Sequence, residues 1–147
     1  MFLFSLIFFI GLTVMAMILG GSVNMFIDAP SVLLIFPPAV FFSIAATSWQ
    51  DLKNAVVFII NNHTDQPTIT YTRAKRAMSV MGFTAFLLGI FTSTIGWVSM
   101  ANHIKAEDFE SIFGPAFAVS VLTLMYGIGL KLVCYVAEMK IESLSEQ

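Results

Sequence analysis

One apolar segment carries four residues that could do chemistry. Ser120, Thr123, Gly127 and Lys131 follow each other at spacings of three or four. A helix brings such residues to one face. Hydroxyl oxygens on a membrane helix can line a hydrated path and offer lone pairs to an ion or its water. They can equally bond back to the carbonyl one turn earlier. Lys131 sharpens the choice. An ionisable residue within a span is costly and points by default to function, yet near a span's end it can snorkel to the interface. Both readings stand at this stage.

Other chemistries find little support. His63 lies beside Asp65, but one histidine and one carboxylate are too few for a metal site, so a solvated loop is expected. His103 closes an apolar run, where either a plain interfacial residue or a pH sensor would fit. No nucleophile has a base at motif spacing, and there is no phosphate loop and no pair of carboxylates within a span. The chain therefore reads as a non-enzyme without a cofactor or metal. Cys134 stands alone in an apolar run, so it reads as a small buried hydrophobe and cannot form a disulfide within the chain.

Composition sets the solvent. Hydrophobic residues make up 58% and charged residues 11%, against about 25% charged in a soluble domain. Mean hydropathy is +0.88. Such a chain cannot clothe a water-facing surface, and a bilayer must supply its surroundings. The net charge of -2 and the lack of a basic stretch interleaved with aromatics exclude a nucleic-acid groove.

Four apolar runs predict an all-α membrane protein with four transmembrane helices. They cover residues 2–19, 31–47, 77–104 and 111–130, the last continuing to about Glu138. "GGSVNMFIDAPS" separates the first two with Gly20, Gly21, Asn24 and Pro30 as turn chemistry. The expected organisation is a first hairpin over 1–47, a short loop over 48–76, a second hairpin over 77–138 and a tail over 139–147. Within the loop the first part has some helical patterning, and "NNHTDQPT" reads as irregular. Lys53, Arg73, Lys75 and Arg76 lie between spans two and three, and Lys131 and Lys140 at or beyond the end of span four. Lys105 alone falls on the other side, with Glu107, Asp108 and Glu110 in "KAEDFE". The positive-inside rule then places both termini and the middle loop in the cytoplasm.

Two features concern packing. Gly82, Gly89 and Gly96 recur every seven residues and share a face with which another backbone could make close contact; a ligand or hinge role is the alternative. Gly127 does the same on the fourth run. Pro37 and Pro38 interrupt "LLIFPPAVFF" in the second run, where each removes a backbone donor.

Two stretches carry a family likeness. Residues 14–35, "VMAMILGGSVNMFIDAPSVLLI", resemble the first hairpin of MotA-type flagellar stator subunits in their Gly-Gly, in Phe26 and Asp28, and in Ser31 opening span two. "MGFTAFLLGIF" and "FGPAFAVSVLTLMYGIGL" resemble the second hairpin, through the Gly-Pro-Ala approach to span four and Thr-x-x-Tyr-Gly at residues 123–127. The wider superfamily includes ExbB and TolQ. The resemblance implies a homopentamer in the bacterial inner membrane. It would surround two copies of a single-span partner of MotB, ExbD or TolR type, with spans three and four as the inner ring. The partner's aspartate would bind and release a proton or sodium ion, and ion flow would become mechanical work. Thr123, Ser120 and Thr84 are then the expected residues near the ion path, with Lys131 a further candidate.

The chain departs from that pattern in three places. The loop over 48–76 is much shorter than the family's rotor-contacting region. Phe86 and Leu124 stand where sodium-type relatives have inner-ring threonines, with Thr123 and Thr84 nearby. Ser79 stands where a proline commonly precedes span three. Pro37 and Pro38 align with a Gly-Gly of the relatives, so a fixed kink in the outer-ring helix is expected, or else a tolerated bend. A non-conducting scaffold for a partner helix and an unrelated four-span transporter subunit are the competing readings.

Overall fold

The computed structural model describes residues 2–60, 67–103 and 109–145. The described residues form five α-helices and one 3-10 turn, with no strand among them. The helices are α1 (Phe2–Leu19), α2 (Ala29–Ala46), α3 (Trp49–Ile60), α4 (Thr68–His103) and α5 (Phe109–Ser145). The 3-10 turn, Val23–Phe26, lies between α1 and α2. Three stretches are long and apolar enough to cross a membrane: Ala29–Ala46, Thr68–Asn102 and Ile112–Ser145. The apolar part of α1, Phe4–Leu19, is shorter. His63 and Asp65, and Lys105, Glu107 and Asp108 of the charged loop, lie outside the described residues.

Several helix ends differ from the sequence-based expectation. Pro30 does not end the turn before span two; it sits inside the first turn of α2, where a missing N–H costs nothing. Asp28 caps that turn by accepting from the Ser31 N–H at 2.9 Å. α4 begins at Thr68, nine residues before the expected Ala77. Its polar first turns are held by tertiary packing, with Tyr71, Ala74, Ala77 and Met78 buried in the larger core cluster. Likewise α5 starts at Phe109, inside the segment read as a charged loop, and runs through the expected tail to Ser145. Ile141 is fully buried, and Lys75 pairs with Glu142 at 2.5 Å, which fixes those last turns to α4.

The loop between α2 and α4 is mostly the helix α3. Ser48 opens it by accepting from the Asp51 N–H at 3.1 Å. Leu52, Ala55 and Phe58 recur at spacings of three on its buried face. Phe58 stacks on Tyr71 with ring centroids 4.4 Å apart. At the other end of α3 the Lys140 ammonium donates to the Ile59 carbonyl at 2.6 Å, supplying one of the partners a helix C-terminus lacks.

α2 continues as one helix through Pro37 and Pro38. The two rings leave the carbonyls of Leu33 and Leu34 without their usual donors. The buried face of α2, made by Ser31, Ile35, Ala39 and Ser43, repeats every four residues and lies away from them. It packs on α4 and α5 through Ala85, Met81, Leu88, Tyr126 and Leu130. α1 touches the rest least: Ser5, Leu6 and Phe9 meet Leu132, Val133 and Val136 of α5.

Candidate functional site

The pairing of α4 with α5 is the frame on which the candidate residues sit. Its register can be read from the glycines. A Cβ at Gly82 would lie 2.6 Å from the Cys134 Cβ; one at Gly89, 3.2 Å from the Gly127 Cα; one at Gly96 would run into the Ser120 hydroxyl. Each step of seven along α4 is thus answered by a step of seven back along α5. A seven-residue seam is slightly shorter than two helical turns, and keeping it facing a partner makes the pair supercoil left-handedly. At Gly127 the fit is closest against backbone, since a Cβ there would be 2.7 Å from the Ala85 carbonyl oxygen.

This seam takes up the hydroxyl face of α5. Ser120 and Thr123 are both buried. The Ser120 hydroxyl donates to the Ala116 carbonyl at 3.3 Å, and its own carbonyl accepts from the Ser93 hydroxyl at 2.6 Å. Thr123 contacts two helices at once. Its hydroxyl is 3.0 Å from the Val119 carbonyl and 2.7 Å from the Ser31 hydroxyl of α2. Ser31 in turn donates to the Asp28 carboxylate at 2.5 Å. A hydroxyl has one proton. That of Ser31 goes to Asp28, and that of Thr123 is shared between the Val119 carbonyl and the Ser31 oxygen. The result is a chain of hydroxyls from Thr123 through Ser31 to Asp28.

Tyr126, one turn along α5, closes the same cluster. Its hydroxyl donates to the Phe26 carbonyl and accepts from the Asp28 N–H at 3.3 Å. A loop over 20–28 and a helix some hundred residues later are therefore joined by a cluster of hydrogen bonds at one level. No buried side-chain polar atom among the described residues lacks a partner.

A scan of family models and a search among curated proteins return no match. What the chain offers chemically is therefore read from its own geometry.

The remaining candidates do not join the cluster. Thr84 is half-buried on α4 and makes no side-chain hydrogen bond among the described residues. Lys131 lies on the face of the α4–α5 pair away from α2. Its Cδ would be 3.2 Å from a Cβ on Gly82, so the stem lies against α4 where that glycine leaves room. Together with Phe83, Phe86, Ile128, Leu132 and Tyr135 it lines a groove of about 420 Å³ whose wall is carbon throughout. Among the described residues the Lys131 ammonium makes no hydrogen bond and no ion pair.

Sequence reasoning singled out Thr123 and Ser120 as one face but not what they touch. Tyr126 was seen only as part of a Thr-x-x-Tyr-Gly pattern, and Asp28 and Ser31 only as features of the first hairpin. The signal available was an Asp–x–x–Ser spacing just before an apolar run, which marks a helix start.

Proposed function

We propose that the chain is a ring-forming subunit of an ion-driven complex of the MotA, ExbB and TolQ kind. In this reading it crosses a bacterial inner membrane four times, with both termini cytoplasmic. Five copies surround two copies of a single-span partner whose aspartate carries a proton or sodium ion, and ion flow becomes mechanical work. One observation carries the reading. Phe26, Asp28 and Ser31 belong to the resemblance in the first hairpin, beside its Gly-Gly, and Thr123, Tyr126 and Gly127 to that in the second, beside its Gly-Pro-Ala. The cluster brings the two sets together: Ser31 bonds to Thr123, and Tyr126 bonds to the backbone of Phe26 and Asp28.

A specific observation favours a second reading, a non-conducting scaffold that holds a partner helix. The hydroxyls of Ser120 and Thr123 are used within the chain, so they meet an ion only if the cluster opens. Native mass spectrometry of the gently extracted chain tests both. Five copies, alone or with two copies of a smaller chain, are expected. A monomer, dimer or other ring overturns the assembly reading. Ion flux through the reconstituted complex then separates the two. Thr123→Val is expected to lower flux with the pentamer intact, and unchanged flux leaves the scaffold.

A further inference from the structure

We infer that the groove beside Lys131 binds one anionic phospholipid, with the phosphate at Lys131 and Tyr135 and an acyl chain along Phe83, Phe86, Ile128 and Leu132. Membrane depth is the first support. From Ile112 to Leu130 α5 carries no charge, which is about 19 residues, or roughly 28 Å of helix at 1.5 Å per residue. That matches a hydrocarbon core of about 30 Å. If this stretch spans the core, Lys131 stands at its edge, on the side of Lys140 and Arg76.

The packing of the side chain agrees. Lys131 lies between the levels of Gly127 and Cys134, which face Gly89 and Gly82. Its Cα and Cδ lie 3.5 and 3.2 Å from a Cβ on Gly82, so its apolar stem is laid against α4. A lysine at a membrane edge buries its carbons and delivers its ammonium to the headgroup layer. Tyr135, one turn further toward Lys140, has its ring on the groove and its hydroxyl without a hydrogen bond among the described residues. A tyrosine with an apolar body and a polar tip suits the same layer.

Charge complementarity selects the headgroup. Lys131 and Tyr135 are the ionisable residues whose carbons line the groove, and no ion pair neutralises Lys131 among the described residues. Glu138, two turns along α5, makes no ion pair with it. A phosphate offers an ammonium charge-assisted hydrogen bonds in a region of low dielectric, and basic pockets on the cytoplasmic side of helix bundles suit anionic heads. A zwitterionic head brings its own cation and gains less. The inference rests on the placement in the bilayer and not on the ring reading.

The test is lipid titration of the detergent-purified chain, read by native mass spectrometry. The probes are dioleoyl phosphatidylglycerol and dioleoyl phosphatidylcholine. The expected result is one tightly retained phosphatidylglycerol per chain, bound about tenfold better than phosphatidylcholine. Lys131→Met keeps an unbranched apolar stem and should remove that preference, while Lys131→Arg should keep it. Lys53→Gln, on α3, should leave it unchanged, and millimolar inorganic phosphate should not displace the lipid. Tyr135→Phe should weaken binding by a few-fold, and gives a second readout should Lys131→Met extract poorly. Equal binding of the two lipids overturns the inference. So does an unchanged preference in both Lys131→Met and Tyr135→Phe, an equal loss in Lys53→Gln, or displacement by free phosphate.

Discussion

The α4–α5 pair has two long apolar sides, and they have different fates. One is covered by α2, where Ile35 and Ala39 pack among Ala85, Met81, Leu88, Tyr126 and Leu130. Near one end of α2 Ser31 bonds to Thr123, and near the other Ser43 donates to the Ala77 carbonyl at 2.8 Å. The other side, with Phe83, Phe86, Ile128 and Leu132, is left open and holds Lys131. Apolarity does not separate the two. Lipid tails match leucine, so in a bilayer apolar surface alone brings no helices together. What separates them is small residues that bring backbones close and hydroxyls that find partners across the gap. α1 makes the same point, being apolar almost throughout and burying none of its described side chains.

The largest effect is expected where backbone meets backbone. Gly127 and Gly129 are two residues apart on α5 but face opposite ways. A Cβ at Gly127 would strike the Ala85 carbonyl oxygen at 2.7 Å and the Gly89 Cα at 3.0 Å, while at Gly129 nothing lies within 4 Å. Gly127→Ala should therefore force the helices apart and cost about 1–3 kcal/mol. Gly129→Ala should be neutral or gain up to about 1 kcal/mol in helix propensity. Unfolding in mixed micelles on raising the fraction of denaturing detergent measures both. Equal behaviour of the two variants would mean that the seam does not hold the pair.

The polar ties come next. Ser31→Ala removes the link between Thr123 and Asp28 and leaves Thr123 only its Val119 carbonyl, at an expected cost of about 1–3 kcal/mol. Thr13→Val on α1 removes a hydroxyl that bonds only back to its own helix, to the Phe9 carbonyl at 2.8 Å, and should fall within about 0.5 kcal/mol of the parent. A double-mutant cycle of Ser31→Ala with Thr123→Val sharpens the contrast. Bonded partners should show a coupling of about 0.5–1.5 kcal/mol, and no coupling would remove the tie.

These contrasts also explain what could be read from the sequence. The glycine seam was legible because its signal is local, a repeat of seven within one helix. The shared face of Ser120 and Thr123 was legible for the same reason. Their partners were not, since Ser31 lies 92 residues away from Thr123 and nothing local reports a contact at that separation. The early start of α4 was hidden because Thr68 to Arg76 is polar. Its apolar residues Tyr71 and Ala74 are buried in one cluster with Leu52, Ala55 and Phe58 of α3, and that packing supports the helix. The long reach of α5 was hidden by its charges, which look like a tail until Lys75 and Ile59 supply their partners. Pro30 was misplaced because a proline before an apolar run fits both a turn and a first helical turn.

The smallest stability effects should come from the two lysines that bracket the basic end, and they sharpen the comparison most because their functional effects should differ. Lys75 is partnered, but it and Glu142 remain 31% and 41% exposed, so solvent screens the pair. A Lys75→Met, Glu142→Gln cycle should give about 0.2–1 kcal/mol and weaken with added salt. Among the described residues Lys131 makes no hydrogen bond or ion pair, and it stands on the open side. Lys131→Met therefore removes no such tie, and stability in neutral micelles should stay within about 0.5 kcal/mol of the parent. In micelles containing phosphatidylglycerol the parent should gain stability that Lys131→Met does not, because a ligand that binds only the folded state stabilises it in proportion to its concentration. The Lys75 variant should keep that gain. If instead Lys131→Met unfolds the chain in neutral micelles, Lys131 has a partner within the bundle, and the open side is less open than its geometry implies.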